Sequence, residues 1–205
     1  MDIELDHIFL FVQDETTARR MMAEAGLRVN YSRTHTGQGT SNVCACLDDM
    51  YLELLWLDGT PIDDQAERMT LGDRGRGRGC PIGVSWRGKS GLECECYAAP
   101  FLPRGATIPV ARASLDINLP FVFQSPGGMR PLDRNDGLVG QRQVPALATL
   151  GHCELRVPNL QSASKLLSAF QNISVVEGEY GLRIELLTSD GTIDRRIKWA
   201  AASRR

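Results

Sequence analysis

Two stretches of this chain, 145 residues apart, have similar sequences. Residues 5–14 and residues 150–159 both open on an apolar, strand-like run with a histidine at the third position, and each run precedes a helix-like segment. Each repeat later reaches an apolar strand with one central glutamate, at residues 51–55 and residues 183–187. A repeat in which each copy contains one His and one Glu indicates a pseudo-symmetric fold. If the two copies pack together, the four side chains can meet in one cleft as metal ligands.

The composition is that of an ordinary globular protein. The chain has 205 residues, of which 42% are hydrophobic and 23% charged, and its formal net charge is −2. Dedicated nucleic-acid-binding proteins are usually strongly basic, so we expect no nucleic-acid partner. The sequence contains no run of about 18 apolar residues, so no membrane-spanning helix is predicted. The start of the chain lacks a signal-peptide core, and the cysteines lack a clean zinc signature, so we expect a cytoplasmic protein with reduced cysteines.

Turn residues and hydrophobic periodicity divide the chain into three units. Residues 1–58 are predicted to form a βαβββ unit, residues 146–205 a C-terminal unit of the same order, and residues 59–145 a degraded middle unit with long loops. The predicted fold class is α+β: repeated βαβββ units form an open, curled mixed sheet around a central cleft, with the helices outside.

The boundaries of the predicted elements follow from the turn and cap residues. They are a strand at 3–12, a helix at 15–25 and strands at 27–33, 41–48 and 50–57 in the first unit; a loop at 58–80; a strand at 82–87, a helix at 91–98 and strands at 106–113 and 118–124 in the middle unit; a loop at 125–145; and a strand at 150–157, a helix at 160–171 and strands at 173–178, 181–188 and 192–198 in the last.

Strand alternation predicts that the repeated His and Glu side chains share one face. Ile8 suits the helix side of its strand, so His7 points the other way. The same parity places Glu53, His152 and Glu185 on the open side of the sheet. Two imidazoles and two carboxylates suit a divalent ion such as Zn²⁺, Ni²⁺, Mn²⁺ or Fe²⁺. The alternative is that each histidine is a hydrogen-bonded structural residue, although an unpaired buried carboxylate is costly.

Further residues are candidates for the walls and the chemistry of the cleft. They are His35, Asn42, Phe9, Tyr51, Arg156 and Arg183. His35 is a candidate third ligand or acid/base group and Asn42 a candidate holder of a substrate oxygen; alternatively, their Gly-rich turn only builds a hairpin. The two aromatic residues suit an apolar substrate wall. The two arginines can pair with a substrate carboxylate or phosphate, but pairing with Glu154 and other acids is favoured.

One basic motif points to a different function. Residues 74–79 alternate arginine and glycine, which is similar to an RNA-binding run, but a flexible solvated loop is the favoured interpretation in a chain with this charge. The sequence contains no phosphate-binding glycine loop and no serine-hydrolase elbow, so nucleotide binding and serine hydrolysis lack support.

Several motifs resemble those of one superfamily. The βαβββ repeat, the D-H-x-x-L-x-V opening at residues 6–12 and the Y-L-E-L strand at residues 51–54 resemble the vicinal-oxygen-chelate superfamily, which includes glyoxalases, bleomycin-resistance proteins and extradiol dioxygenases. The stretch H-T-G-Q-G-T-S-N at residues 35–42 is similar to its glyoxalase-like-domain branch. Residues 119–123, L-P-F-V-F, resemble the strand that ends the middle unit in that branch. The resemblance covers most of the chain.

The resemblance implies a metal site between paired units. The implied ligands are His7 and Glu53 from one unit and His152 and Glu185 from the other. The implied chemistry is Lewis-acid catalysis at neighbouring substrate oxygens, with Glu53, Glu185 or His35 as the base. If the first and middle units pair instead, His7 and Glu53 alone remain, and a metal would need His35 as well.

We therefore predict a metal-dependent lyase or isomerase that acts on a small oxygen-rich molecule. The alternative is a non-catalytic protein that binds a small molecule on the same scaffold, and a weaker one is a structural module without a ligand. The expected partner is a small-molecule substrate or ligand, with no nucleic acid and no membrane, and formation of a homodimer is left open.

Overall fold

A computed structural model describes residues 3–201 of the chain and shows an α+β fold with two open mixed sheets. The elements are β1 (Ile3–Phe11), α1 (Glu15–Glu24), β2 (Tyr31–His35), β3 (Thr40–Cys46), β4 (Tyr51–Leu57), α2 (Asp64–Arg68), α3 (Leu71–Gly75), β5 (Ile82–Gly88), β6 (Cys94–Tyr97), β7 (Ile108–Ala111), β8 (Phe121–Gln124), β9 (Thr149–Val157), α4 (Leu160–Leu167), β10 (Ile173–Glu177), β11 (Gly181–Leu187) and β12 (Ile193–Ala200). Within residues 3–201, no helix has the length and apolar character needed to cross a membrane.

The first eight strands form one sheet, in the order β2-β3-β4-β1-β5-β8-β7-β6. Strand β1 is parallel to β4 and antiparallel to β5, and β5 is parallel to β8. The two halves of the sheet therefore have the same internal order and meet at the β1–β5 pair. The first unit pairs with the middle unit, which is the alternative pairing considered from the sequence.

The C-terminal unit forms a separate four-stranded sheet, in the order β10-β9-β11-β12. Its first strand is parallel to its second and antiparallel to its third. In the first unit, by contrast, the first strand is parallel to the fourth. The repeat seen in the sequence thus preserves the order of the elements but not their pairing, because the short crossover through α4 sets β10 directly beside β9.

Local sequence signals set the limits of α1. The Asp14 side chain accepts a hydrogen bond from the Thr17 backbone N–H at 2.7 Å, which caps the first turn. Gly26 follows the helix with a φ of +63°, a conformation that glycine adopts without strain. Ala18 and Met22 lie one turn apart on the buried face. The helix therefore covers the outer face of the first unit.

Two predictions for the middle unit are wrong. Residues 94–97 form strand β6, paired with β7, where a helix at 91–98 was predicted. The connection that precedes β6, residues 89–93, is too short for an outer helix. The predicted loop at 58–80 contains the short helices α2 and α3, and Asp63 caps the first of them by accepting from the Ala66 N–H.

One hydrophobic core joins the two sheets. Leu10 of the first unit and Val84 and Trp86 of the middle unit are buried in the same cluster as Leu155 and Ile184 of the C-terminal sheet. Because the described connection between β5 and β6 contains no helix, the outer face of the middle unit is covered by the C-terminal sheet instead. The C-terminal unit therefore occupies the place of the missing helix.

The opposite, inner face of the eight-stranded sheet is curled. The hydroxyl of Tyr97, on the edge strand β6, donates to the side-chain oxygen of Gln38 in the β2–β3 turn, at 3.1 Å. A second cluster of buried apolar side chains, including Phe9, Phe11 and Phe121, fills part of this inner face. The curl brings the two edges of the sheet close together and leaves a pocket between them.

Candidate functional site

The inner face of the eight-stranded sheet encloses a pocket of about 100 Å³. Its walls are mostly aromatic, from Phe9, Tyr31, Tyr51, Tyr97, Phe101, Phe121 and Phe123. The polar groups that line it are His7, Arg33, His35, Gln38, Asn42 and Glu53. A largely apolar pocket with a few convergent polar groups is the usual form of a small-molecule site.

His7 lies on β1 where the strand has a bulge. The pairing of β1 with β5 shifts by one residue between Leu5 and His7, and such bulges re-aim the side chains beside them. The Nδ1–H of His7 donates to Asp6 Oδ1 at 2.6 Å. The Nε2 atom therefore faces the pocket, where it lies 3.4 Å from Glu53 Oε2.

Asp6 is itself fixed by Arg87 of β5. The Arg87 Nη1 atom donates to Asp6 Oδ2 at 2.8 Å, and Nη2 donates to the backbone oxygens of Leu5 and Asp49. Burial opposes ionisation of Asp6, but the hydrogen bond from His7 and the charge of Arg87 outweigh it, so its pKa lies below the ordinary value. An ionised Asp6 holds the proton of His7 on Nδ1.

Glu53 presents a buried carboxylate to the pocket from β4, with 5% of the residue exposed. The side-chain amide of Asn42 donates to Oε1 at 2.5 Å. The orientation of that amide is set because its oxygen accepts the Arg33 backbone N–H at 2.8 Å. Asn42 thus holds one oxygen of Glu53 in place, and His7 lies beside the other.

His35 lines the pocket from β2, at the end of a hydrogen-bond chain. Tyr97 donates to the oxygen of the Gln38 amide, whose nitrogen then donates to Thr40 Oγ1 at 2.7 Å. The Thr40 hydroxyl group then donates its hydrogen to His35 Nδ1, which lies 3.0 Å from Thr40 Oγ1. This order of donors leaves an N–H on Nε2 for the pocket. Burial lowers the pKa of His35, although the charge of Glu53 opposes this, so the ring is neutral at pH 7.

The aromatic walls pack directly against these polar groups. The Tyr51 ring stacks on His7, with centroids 4.3 Å apart and planes 15° from parallel. The edge of Phe123 meets His7 at 5.2 Å. Burial, together with the nearby charges of Asp6 and Glu53, raises the pKa of Tyr51 well above its ordinary value, so its hydroxyl stays neutral.

Six of the residues predicted from the sequence meet in this pocket. They are His7, Phe9, His35, Asn42, Tyr51 and Glu53. The structure thus assembles the candidates of the first unit around one cavity, and their roles remain predictions.

The predicted partners from the C-terminal unit lie elsewhere. His152 Nε2 is 2.9 Å from Ser174 Oγ on the neighbouring strand, and Glu185 accepts from Arg196 at 2.8 Å. Both residues are partly exposed on the second sheet.

Arg156 and Arg183 lie on the second sheet as well. Their guanidinium groups are 3.6 and 3.4 Å from a carboxylate oxygen of Glu154. This is the pairing favoured from the sequence over contact with a substrate.

The shared four-ligand site predicted from the repeat is therefore not formed. The predicted parity is present in each sheet, because Ile8 and Cys153 face the core while His7 and His152 face away from it. However, the two sheets pack with their apolar faces toward the same core. The two His–Glu pairs consequently point in opposite directions, one into the pocket and the other toward solvent.

Comparison with known proteins agrees with the sequence motifs. A family model described as "Glyoxalase-like domain" matches residues 5–90. These residues are thus similar to a glyoxalase-like domain. The resemblance stated from residues 6–12, 35–42 and 51–54 is thereby confirmed. No protein with curated functions matches the chain.

Solved structures similar to the chain have low sequence identity. A hypothetical protein from Staphylococcus aureus is 12% identical, with 99% of this chain and 87% of that chain covered and a TM-score of 0.48. A methylmalonyl-CoA epimerase in complex with methylmalonyl-CoA is 16% identical, with 62% and 97% covered and a TM-score of 0.40. A mutant of 4-hydroxymandelate synthase from Streptomyces coelicolor is 13% identical, with 95% and 61% covered and a TM-score of 0.45.

The metal implied by the resemblance does not fit the side chains of this pocket. On the middle unit, the strand positions opposite Phe9 and His7 are Gly83 and Ser85, and Phe121 and Phe123 lie beside them on β8. Within residues 3–201, no group of three or more His, Cys, Asp or Glu side chains is placed to hold a metal ion. Zinc sites in proteins normally use at least three protein ligands. The pair of His7 and Glu53 is one ligand short.

Some residues of the site were not predicted from the sequence. Asp6 directly precedes His7, and a carboxylate beside a candidate histidine is a signal that it orients the ring. Arg87 has no such signal, because its contact with Asp6 depends on the pairing of β1 with β5. Arg33 lies two residues before His35, so alternation along a strand is the signal that could have placed it on the same face. Phe101 reaches the pocket only through the curl of the sheet.

Proposed function

We propose that the protein is an enzyme of the lyase or isomerase type that moves a proton on a small oxygen-bearing molecule in the pocket. The observation that carries this proposal is the Glu53 carboxylate, which is buried among aromatic rings and faces the cavity. Carboxylates in such surroundings are suited to general base catalysis.

The carboxylate of Glu53 is the base in this proposal. Its Oε2 atom accepts a proton from a substrate carbon next to a carbonyl group. The electron pair of that C–H bond forms a C=C bond, and the π pair of the carbonyl group moves to its oxygen. His7 lies 3.4 Å away and can exchange a proton with the carboxylate, while Asp6 keeps the ring oriented.

The negative charge that develops on the substrate oxygen needs a hydrogen-bond donor. The Nε2–H of His35 on β2 meets this need, because the chain from Tyr97 through Gln38 and Thr40 fixes the tautomer. Where the deprotonated carbon carries a hydroxyl group, return of the proton to the former carbonyl carbon and transfer of the hydroxyl proton to the oxyanion complete an isomerisation. Where the next carbon carries a leaving group, its departure with the electron pair completes an elimination. Both routes use the same first step.

A second candidate function is binding of a small molecule without chemistry. The aromatic lining favours it, because seven aromatic rings supply stacking surface for a planar ligand. Under this alternative, Asn42 would hold Glu53 as an acceptor for a ligand hydroxyl group.

Proton exchange in heavy water distinguishes the two functions. We expect the wild-type protein to accelerate the loss of the C–H signal next to the carbonyl group of hydroxyacetone or 2-oxobutanoate, followed by proton NMR. Replacement of Glu53 by Gln should reduce the accelerated rate by about 10²- to 10⁴-fold, because the base is lost.

Glu185→Gln is the matched control, because it removes a carboxylate from the exposed face of the other sheet. This variant should exchange at the wild-type rate. An exchange rate unchanged in Glu53→Gln contradicts the proposal, and tight binding of these compounds without exchange supports the binding protein. Repeating the assay with a chelator tests the fit of the donor set: the rate should not change.

A further inference from the structure

Strand β2 presents three side chains to the pocket. Because side chains alternate along a strand, Tyr31, Arg33 and His35 point to one face, and all three line the pocket. The intervening residues, Ser32 and Thr34, are exposed on the other face. Arg33 is thus placed beside the catalytic candidates by the register of β2, although much of its side chain is in contact with solvent.

The guanidinium group of Arg33 is held at the rim of the pocket. Its central carbon lies 5.0 Å from the centre of the Phe101 ring, which is a cation–π distance. The backbone N–H of the same residue binds Asn42, which in turn binds Glu53. The position of Arg33 is therefore coupled through one amide to the position of the proposed base.

The charge of Arg33 is not balanced by a protein carboxylate. Across the described chain, residues 3–201, no Asp or Glu oxygen forms an ion pair or hydrogen bond with its guanidinium group. Other arginines near this end of the sheet do have such partners, as Arg134 has Asp136 and Arg142 has Asp48. Five N–H donors at the rim of a small pocket are therefore available to a ligand.

We propose that Arg33 binds a carboxylate group of the substrate, which would make the substrate a small carboxylic acid with an apolar body. This inference rests on the proposed function and names its substrate class. The planar guanidinium matches a planar carboxylate through two parallel hydrogen bonds. The pocket volume of about 100 Å³ admits a body about as large as a single ring.

The opposite ends of the pocket then have different tasks. Arg33 fixes the acid group at the rim, Phe101 covers its apolar neighbour, and the reacting carbon lies deeper, toward Glu53. Binding at the rim orients the substrate before any proton moves, which is how positioning groups raise reaction rates.

Binding of benzoate and benzamide tests the inference, since the two probes have nearly the same shape and only benzoate is charged. We expect calorimetric titration to show tighter binding of benzoate to the wild-type protein. Arg33→Gln should weaken benzoate binding by about 10- to 100-fold and change benzamide binding by less than about threefold. Arg104→Gln, which removes an exposed arginine outside the pocket lining, is the matched control and should leave both affinities unchanged.

Three outcomes would overturn the inference: benzoate binding no tighter than benzamide binding, an equal loss of benzoate affinity in both arginine variants, or no benzoate binding at millimolar concentration. Because Arg33 is exposed on an edge strand, the melting temperature of Arg33→Gln should lie within about 2 °C of the wild type. A loss of benzoate affinity in this variant is then not caused by unfolding.

The result is independent of proton transfer. Benzoate binding that depends on Arg33, together with exchange that does not depend on Glu53, would retain the carboxylate site and reject the proposed enzyme. Exchange that depends on Glu53, together with benzoate binding that does not change in Arg33→Gln, would retain the proposed enzyme and reject the carboxylate site.

Discussion

The imidazole of His7 lies between two carboxylates that have different surroundings. Asp6 has an arginine partner and accepts the Nδ1–H, whereas Glu53 has an amide partner and faces the cavity. Titratable groups whose environments differ in this way are typical of acid/base pairs in active sites. Arg87 therefore acts on the site indirectly, because it keeps Asp6 ionised and Asp6 orients the ring of His7.

At the residue scale, we predict that Asp6 contributes stability that depends on pH. Its folded pKa lies below the ordinary value, so the contribution is complete above about pH 4 and is lost as the pH falls through the lower folded value. Asp6→Asn should cost up to about 3–5 kcal/mol at pH 7, because the buried Arg87 then keeps only its longer ion pair with the half-exposed Glu4. Urea unfolding between pH 7 and pH 3 measures this, and the variant should lose less stability than the wild type below pH 4.

Asp133→Asn is the control for the acid series, since Asp133 is exposed. This variant should follow the wild-type stability curve. Equal slopes for Asp6→Asn and the wild type below pH 4 would contradict the role given to Asp6.

The six residues of the first unit that were correctly placed in the pocket were predictable because each depends on a local pattern. Alternation along β1 and β4 places His7 and Glu53 on one face whatever the partner strands are. The position of His152 could not be predicted in the same way. Its own strand has the expected parity, but the direction of its sheet is decided by packing between residues far apart in the sequence.

At the scale of elements, helix α3 shows how an arginine-glycine run can become buried. Arg74 is 1% exposed and its guanidinium donates to the backbone oxygens of Cys80, Leu119, Ser114 and Asp116. Burial lowers the pKa of Arg74 to about 10, so the side chain is still charged at pH 7. The interpretation of this run as a solvated loop is wrong for Arg74. Nothing in the sequence distinguishes it from its neighbours Arg76 and Arg78.

We predict that Arg74→Met destabilises the protein by about 3–5 kcal/mol, because the carbonyl groups it binds are left buried without donors. Arg76→Met, in the same run but exposed and paired only at the surface, should change the free energy of unfolding by less than about 1 kcal/mol. Chemical denaturation of both variants makes the comparison. Similar small losses in the two would show that the buried hydrogen bonds of Arg74 contribute little.

Most strands and helices were predictable to within a few residues, since caps and turns are local. Asp14 and Gly26 gave the limits of α1. The pairing of strands was not predictable, because two candidate partners for the first unit satisfied the same hydrophobic pattern. The sequence of the middle unit resembles the first unit less than the C-terminal sequence does. Its strands are nevertheless paired in the same order as those of the first unit. Strand pairing therefore depends on backbone geometry rather than on side-chain similarity.

At the scale of the whole molecule, the shared core predicts that both sheets unfold together. Leu155→Ala in the C-terminal sheet should cost about 2–5 kcal/mol, because Leu155 is fully buried in the core that both sheets share. Two reporter proteins, one retaining only Trp86 and one only Trp199, should show the same shift of the unfolding midpoint by fluorescence.

Ile193→Ala, at an exposed position of β12, is the control and should shift neither midpoint by more than the equivalent of about 0.5 kcal/mol. A shift confined to Trp199 would instead show that the two sheets unfold independently.

The outer face of the middle unit is completed by the C-terminal sheet rather than by a helix of its own. Recombination that transferred the eight-stranded sheet without the C-terminal sheet would therefore expose Val84, Trp86 and Val122 to water. The product would be prone to aggregate. The two parts must be inherited as one piece. Meanwhile the solvent-facing side of the last sheet, where His152 and Glu185 lie, is free to diverge without any effect on what the pocket accepts.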